Sequence, residues 1–252
     1  DEINEYRTSI PYCLNSATLT QTLDISNKET MPQSIAFNPA GTKMFIVGDQ
    51  GDDVTEYTLT IGFNISTATY SSGDNECDLT ANSSGITAPR AVDFSPNGLQ
   101  MLVISSNTDE VDEYALSTAF DVSTCSWQGT SHDFDTSGKD GAPRGMAFSQ
   151  NGKYMFFVGK TTDCVYSYTL GKAFDPATAV YVEHKCFSVA GDEDIPTGLA
   201  FSWNGKKMFI VGQEGKDITP YNLRIAWNVT TAVGPNPVIS SHIQDCETST
   251  QC

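Results

Sequence analysis

The feature that most constrains this 252-residue chain is a segment written four times over. Pro32-Gln33-Ser34-Ile35-Ala36-Phe37 aligns with Pro89-Arg90-Ala91-Val92-Asp93-Phe94, Pro143-Arg144-Gly145-Met146-Ala147-Phe148 and Pro196-Thr197-Gly198-Leu199-Ala200-Phe201. The leading prolines stand 57, 54 and 53 residues apart. Each segment runs into a turn, at Pro39-Ala40-Gly41, Pro96-Asn97-Gly98, Gln150-Asn151-Gly152 and Trp203-Asn204-Gly205. Asn-Gly supplies the positive φ that a tight hairpin needs. An apolar run follows every turn: Met44-Phe45-Ile46-Val47, Met101-Leu102-Val103-Ile104, Met155-Phe156-Phe157-Val158 and Met208-Phe209-Ile210-Val211. Runs without polar alternation suit strands covered on both faces, as between stacked sheets.

A third strand ends on Tyr57, Tyr114, Tyr168 and Tyr221, and six residues later stands Phe63, Phe120, Phe174 or Trp227. Asn64, Asp121, Asp175 and Asn228 come next, expected to cap a turn before a fourth, less regular strand. Four short strands per unit at this period make a β-propeller blade. The fold class is therefore all-β, with four-stranded antiparallel blades at 32–88, 89–142, 143–195 and 196–235 and a tail at 236–252. Residues 1–31 follow the same scheme, because Asp1–Tyr6 matches Asp52–Tyr57 and Tyr12 follows Tyr6 by six. They form an N-terminal half-blade with outer strands and no inner pair, and all six segments make one propeller domain. The pattern from Pro143 to Gly159 and from Pro196 to Gly212 resembles the bacterial, viral and environmental β-propeller repeats related to WD-repeat and YVTN-type surface-layer propellers. That resemblance implies the fold and leaves function open, since propellers host many roles.

Two strands alone leave unpaired edges and apolar faces, which proteins avoid. Three covers are open for the half-blade: upstream residues of a longer repeat array, the tail 236–243 folded back, or strands of a neighbouring protomer. Head-to-tail completion between protomers builds filaments unless the rotation closes. Cys246 and Cys252 are placed to fasten the tail to Cys13 of the same chain or the next.

A formal charge of −17 argues against nucleic acid and anionic membrane surfaces as partners. No apolar run approaches a bilayer-spanning length, so membrane insertion is not expected. With no apolar leader at Asp1, a mature or excised chain is expected. Cys13, Cys77, Cys125, Cys164, Cys186, Cys246 and Cys252 form no Cys-x-x-Cys pair and have no His in zinc spacing. They read as disulfides of an oxidising compartment, with the odd one free or bonded to another chain. Asn64, Asn82 and Asn228 open N-glycosylation sequons. Together these features favour an extracellular or cell-surface protein.

First strands of blades line a propeller's channel, so Gln33, Arg90, Arg144 and Thr197 should gather at its mouth. Two arginines there fit a carboxylate, sulfate or sugar acid. The plainer reading pairs each arginine with an acid from the loops holding Asp52-Asp53, Asp109-Glu110, Asp163 and Asp217. Asp93, which replaces the alanine of the other repeats, is expected to face Arg90 or Arg144. His132, His184 and His242 are scattered, and no Gly-x-Ser-x-Gly elbow occurs. The chain is read as a non-enzyme with no cofactor and no metal. Its expected role is an extracellular structural or interaction protein, self-associating as the protomer of a surface filament by strand or blade complementation. The alternative is a carbohydrate- or ligand-binding adhesin module, with glycans as partners, that uses the channel mouth.

Overall fold

A computed structural model describes residues 1–70, 75–81, 85–182, 186–215 and 217–234. It contains four antiparallel propeller blades and an N-terminal two-stranded sheet. Blade I runs through Pro32–Phe37, Lys43–Gly48, Asp53–Leu59 and a fourth strand split into Ala68–Thr69 and Glu76–Asp78. Blade II repeats this with Pro89–Phe94, Gln100–Ser105, Glu110–Leu116, Cys125–Trp127 and Phe134–Asp135. Blade III has Pro143–Phe148, Tyr154–Gly159, Cys164–Leu170, Ala179–Tyr181 and Phe187–Ser188. Blade IV has Pro196–Phe201, Lys207–Gly212, Ile218–Leu223 and Ala232–Val233. The half-blade pairs Glu2–Thr8 with Ala17–Asp24.

The second strand of each blade is two-sided, as its unbroken apolar run requires. In blade I, Met44 and Ile46 face the half-blade with Ile25, while Phe45 and Val47 face blade II. Met101 and Val103 of blade II receive them, and Leu102 and Ile104 pack on Met155 and Phe157 of blade III. Phe156 and Val158 then pack on Met208 and Ile210 of blade IV. The period-2 alternation of a strand thus sends alternate residues to neighbouring blades. Tyr57, Tyr114, Tyr168 and Tyr221 at the ends of the third strands are all buried.

The turn glycines are fixed by a second repeated contact. Gly41, Gly98, Gly152 and Gly205 adopt φ of 65–70°. A Cβ there would run into the ring of Phe63, Phe120, Phe174 or Trp227, the aromatic six residues after each tyrosine. These positions admit glycine on both conformational and steric grounds.

Cys77 joins Cys125, bridging the outer strands of blades I and II, and Cys164 joins Cys186 within blade III. Cys13 is disulfide-bonded as well. The chain-entropy cost released by opening a 48-residue loop is about 4 kcal/mol. Replacing Cys77 and Cys125 together by alanine is expected to lower unfolding free energy by about that amount, read from urea titrations with matched m-values.

Candidate functional site

The repeat makes equivalent positions comparable across blades, and the comparison exposes one place where the ring is open among the described residues. Val47, Ile104 and Val158 are 0–1% exposed, whereas Val211 at the same position of blade IV is 40% exposed. Val54, Val111 and Val165 are fully buried, whereas Ile218 is 50% exposed. No inner strand pair covers this face of blade IV among the described residues. Across the opening lies Glu2–Thr8, which pairs with no second strand among the described residues and whose Tyr6 is 58% exposed although its four counterparts are buried. Ile35 of blade I, which looks into the same space, is also exposed.

One residue bridges the opening. Tyr12 of the half-blade lies near-parallel to the Phe209 ring at 6.2 Å, and its hydroxyl accepts the Trp203 N–H at 3.3 Å. Around it is a mostly apolar cavity of about 700 Å³, lined by Leu14, Ile35, Leu199, Phe209, Val211 and Ile218 among others. Blade IV differs from the others in a second respect. Its third strand pairs with Ala232–Val233 only at Asn222 and Leu223. The outer segment that covers the start of the third strand in blades I–III has no counterpart among the described residues.

The channel-mouth residues come together in part. Gln33, Arg90 and Thr197 all border the cavity. Gln33 Nε2 donates to Asp49 Oδ2 at 3.2 Å, and Arg90 Nη1 contacts the same oxygen at 2.6 Å. Arg90 Nε donates to Ser106 Oγ at 2.7 Å. The acid that satisfies Arg90 is thus Asp49, just upstream of the expected Asp52-Asp53 pair. Asp52, Asp109 and Asp163 serve instead at the positive-φ corners of their loops. Arg144 has no ion pair among the described residues, and its Nε lacks a hydrogen-bond partner. Burial, and then the neighbouring Arg90 charge, push the Arg144 pKa down. Thr197 Oγ1 donates to the Val211 carbonyl.

Asp93 departs from expectation. It faces neither arginine: Oδ1 accepts the Phe94 N–H at 2.8 Å and Oδ2 the Phe148 N–H at 3.1 Å. The aspartate stitches the first strands of blades II and III, because backbone N–H groups at that junction need an acceptor.

The sequon residues Asn64 and Asn228 cap short 3-10 turns, their side-chain oxygens accepting the N–H of Ser66 and Thr230. Asn82, Cys246, Cys252 and the tail 236–252 lie outside the described residues. Sequence reasoning missed Glu29, Asp140 and Glu193, three buried carboxylates that take up loop N–H groups before and after the inner strands. Their spacing from each Pro was the available signal, since they stand three residues before Pro32, Pro143 and Pro196.

No protein-family model matches the sequence, and no curated protein matches it. Solved structures do match. A candidate 6-phosphogluconolactonase from Bacteroides fragilis has 12% identity and TM-score 0.53 over 93% of this chain and 63% of its own. A periplasmic gluconolactonase of Pseudomonas aeruginosa has 13% identity and TM-score 0.53 over 88% and 59%. A protein from Lactobacillus plantarum has 13% identity and TM-score 0.54 over 87% and 60%. The chain therefore spans about three-fifths of the length of these structures. Likeness of this degree shows a shared β-propeller fold.

Burial raises the Asp93 pKa from 3.8 to about 6, against the opposing pull of its two N–H donors. The folded state then holds a proton that the unfolded chain has lost between those two values. Stability contributed by neutral Asp93 is present below pH 3.8 and is lost as pH rises through about 6. Asp93→Asn is expected to gain on the wild type by on the order of 2 kcal/mol between pH 4 and 7. Urea unfolding at both pH values measures this, and a difference independent of pH would exclude it.

Proposed function

We propose that this chain is an extracellular structural and interaction protein that assembles with copies of itself through its open fifth blade. The supporting observation is the exposure of Val211 and Ile218 opposite Glu2–Thr8, when their counterparts in blades I–III are buried between blades. A face built from the same residue types as the three internal interfaces is complementary to strands of this same repeat. A second copy of the chain is therefore its occupant, and residues 236–243 of that copy are the apolar, Pro-bounded segment the sequence offers as donor. Completion of one chain by the next is heterologous and propagates into a filament unless the rotation closes. The disulfides fit an oxidising, non-cytoplasmic setting, and the capped sequons at Asn64 and Asn228 leave the rim open to glycans.

A second reading rests on Arg144. A partly buried guanidinium with an unpartnered Nε beside Arg90 is suited to an anionic ligand such as a sugar acid at the channel mouth. Lactonase chemistry, the activity in the names of two structural neighbours, is not part of this proposal. Asp93, the acid nearest in sequence to the mouth arginines, spends its oxygens on backbone N–H groups.

Light scattering coupled to size exclusion, on unreduced protein from about 1 to 100 μM, tests the assembly. The wild type is expected to form multimers whose mass grows with concentration. Val211→Lys combined with Ile218→Lys is expected to hold the chain monomeric, because a buried unpaired ammonium opposes closure of the interface. A wild type that stays monomeric throughout overturns the proposal.

A further inference from the structure

Glu5 and Glu56 occupy one repeat position on the third strand, and each reaches into the next blade. Glu5 Oε2 accepts the Ile65 N–H at 3.2 Å, and Glu56 Oε2 accepts that of Val122 at 3.3 Å. Lys43 adds a cation 2.6 Å from Glu56 Oε1. Glu113 holds the same position in blade II, and both kinds of partner are missing. Pro176 stands where Ile65 and Val122 stood, and proline has no N–H to give. Gln100 stands where Lys43 stood, so Glu113 Oε1 accepts a neutral amide N–H at 2.9 Å instead of an ammonium.

The adjoining turn departs in the same sense. Asn64, Asp121 and Asn228 each accept the hydroxyl of the residue two places on, Ser66, Ser123 or Thr230, at 2.7, 2.6 and 2.7 Å. Asp175 is their counterpart, but Ala177 has no hydroxyl. Asp175 Oδ1 is buried without a hydrogen bond, while Lys172 pairs with Oδ2 at 3.2 Å from an exposed position. His132, from the loop between the two parts of blade II's fourth strand, places Nδ1 3.4 Å from Glu113 Oε2. The side chains of Glu113 and Asp175 are only 7% and 10% exposed, and His132 opens the cluster to solvent at 39%.

We propose that Glu113, His132 and Asp175 form a binding site for a divalent first-row transition ion of the zinc class, at the rim between blades II and III. Their ligand atoms lie within 4.8 Å of one another. The 3.4 Å between Nδ1 and Oε2 is near the edge of a tetrahedron with ~2.0–2.1 Å bonds. One imidazole with two carboxylates suits zinc and its neighbours rather than calcium, which takes six or more oxygens. Two carboxylates released from their repeat partners on the same spot, with a histidine added, leave a charge and lone-pair surplus that such an ion satisfies. The ion would tie blade II to blade III, as Cys77–Cys125 ties blade I to blade II.

Calorimetric titration of chelator-treated protein with zinc ion tests the site. One ion per chain is expected, with a rise in the thermal unfolding midpoint. His132→Ala is expected to weaken binding by on the order of 100-fold. Gln100→Lys, which restores the ammonium of blade I without replacing a ligand residue, is expected to weaken it at least tenfold while leaving the zinc-free protein as stable or more so. X-ray absorption at the zinc edge should show nitrogen and oxygen neighbours only. Absence of saturable binding, wild-type affinity in either variant, or sulfur in the first shell overturns the proposal.

Discussion

Everything in this fold depends on the second strand of each blade being buried on both sides. A strand's residues point alternately to opposite faces, so Phe45 and Val47 belong to one interface while Met44 and Ile46 belong to another. No blade can therefore bury its core without a neighbour on each side. The fold behaves as a stacked repeat whose stability is a sum of neighbour contacts, with special demands at the two ends. A linear repeat resolves those demands with polar caps. A propeller resolves them by closing on itself.

Among the described residues, closure stops one strand pair short. The half-blade protects one end well: Ile25, with Ile3 and Leu23 beside it, covers Met44 and Ile46, and Glu5 reaches across to the Ile65 N–H. The other end is left with Phe209, Val211 and Ile218 facing the cavity and Tyr12 as the bridge. Tyr12 is the half-blade's counterpart of Phe63, Phe120, Phe174 and Trp227, and it shares their positive φ. Those aromatics pack on the hairpin glycine of their own blade. The half-blade has no hairpin to offer, so the same residue in the same conformation turns to blade IV instead. An inner pair absent among the described residues thus accounts for both the open face and the contact that spans it.

The repeat made most of this legible from sequence. The proline spacing, the turn glycines and the unbroken apolar runs dictated blades, and the match of Asp1–Tyr6 to Asp52–Tyr57 located the half-blade. Site chemistry was less legible, because hydrogen-bond partners lie across blade boundaries. Asp93 stands between Val92 and Phe94 on the first strand of blade II, yet one of its oxygens accepts the Phe148 N–H of the next blade. Arg90 likewise finds Asp49 of the preceding blade, not an acid of its own. Nothing in local spacing distinguishes these outcomes.

The expectation of no metal was read from local motifs. It rested on cysteine spacing and on the lack of an Asp-x-Asp-x-Asp-Gly loop, both signatures of ligands supplied by one local segment. Glu113, His132 and Asp175 come from a strand, a loop and a turn on two different blades, so no motif could announce them. What announces them is loss, read by superposing blades: Pro176 withholds an N–H, Gln100 a cation and Ala177 a hydroxyl, all from the same pair of carboxylates. In a repeat protein each position carries its own control, because the other blades show what its partner should be. A polar group that has lost that partner in one blade only, while staying buried, has to be compensated by something the repeat does not supply.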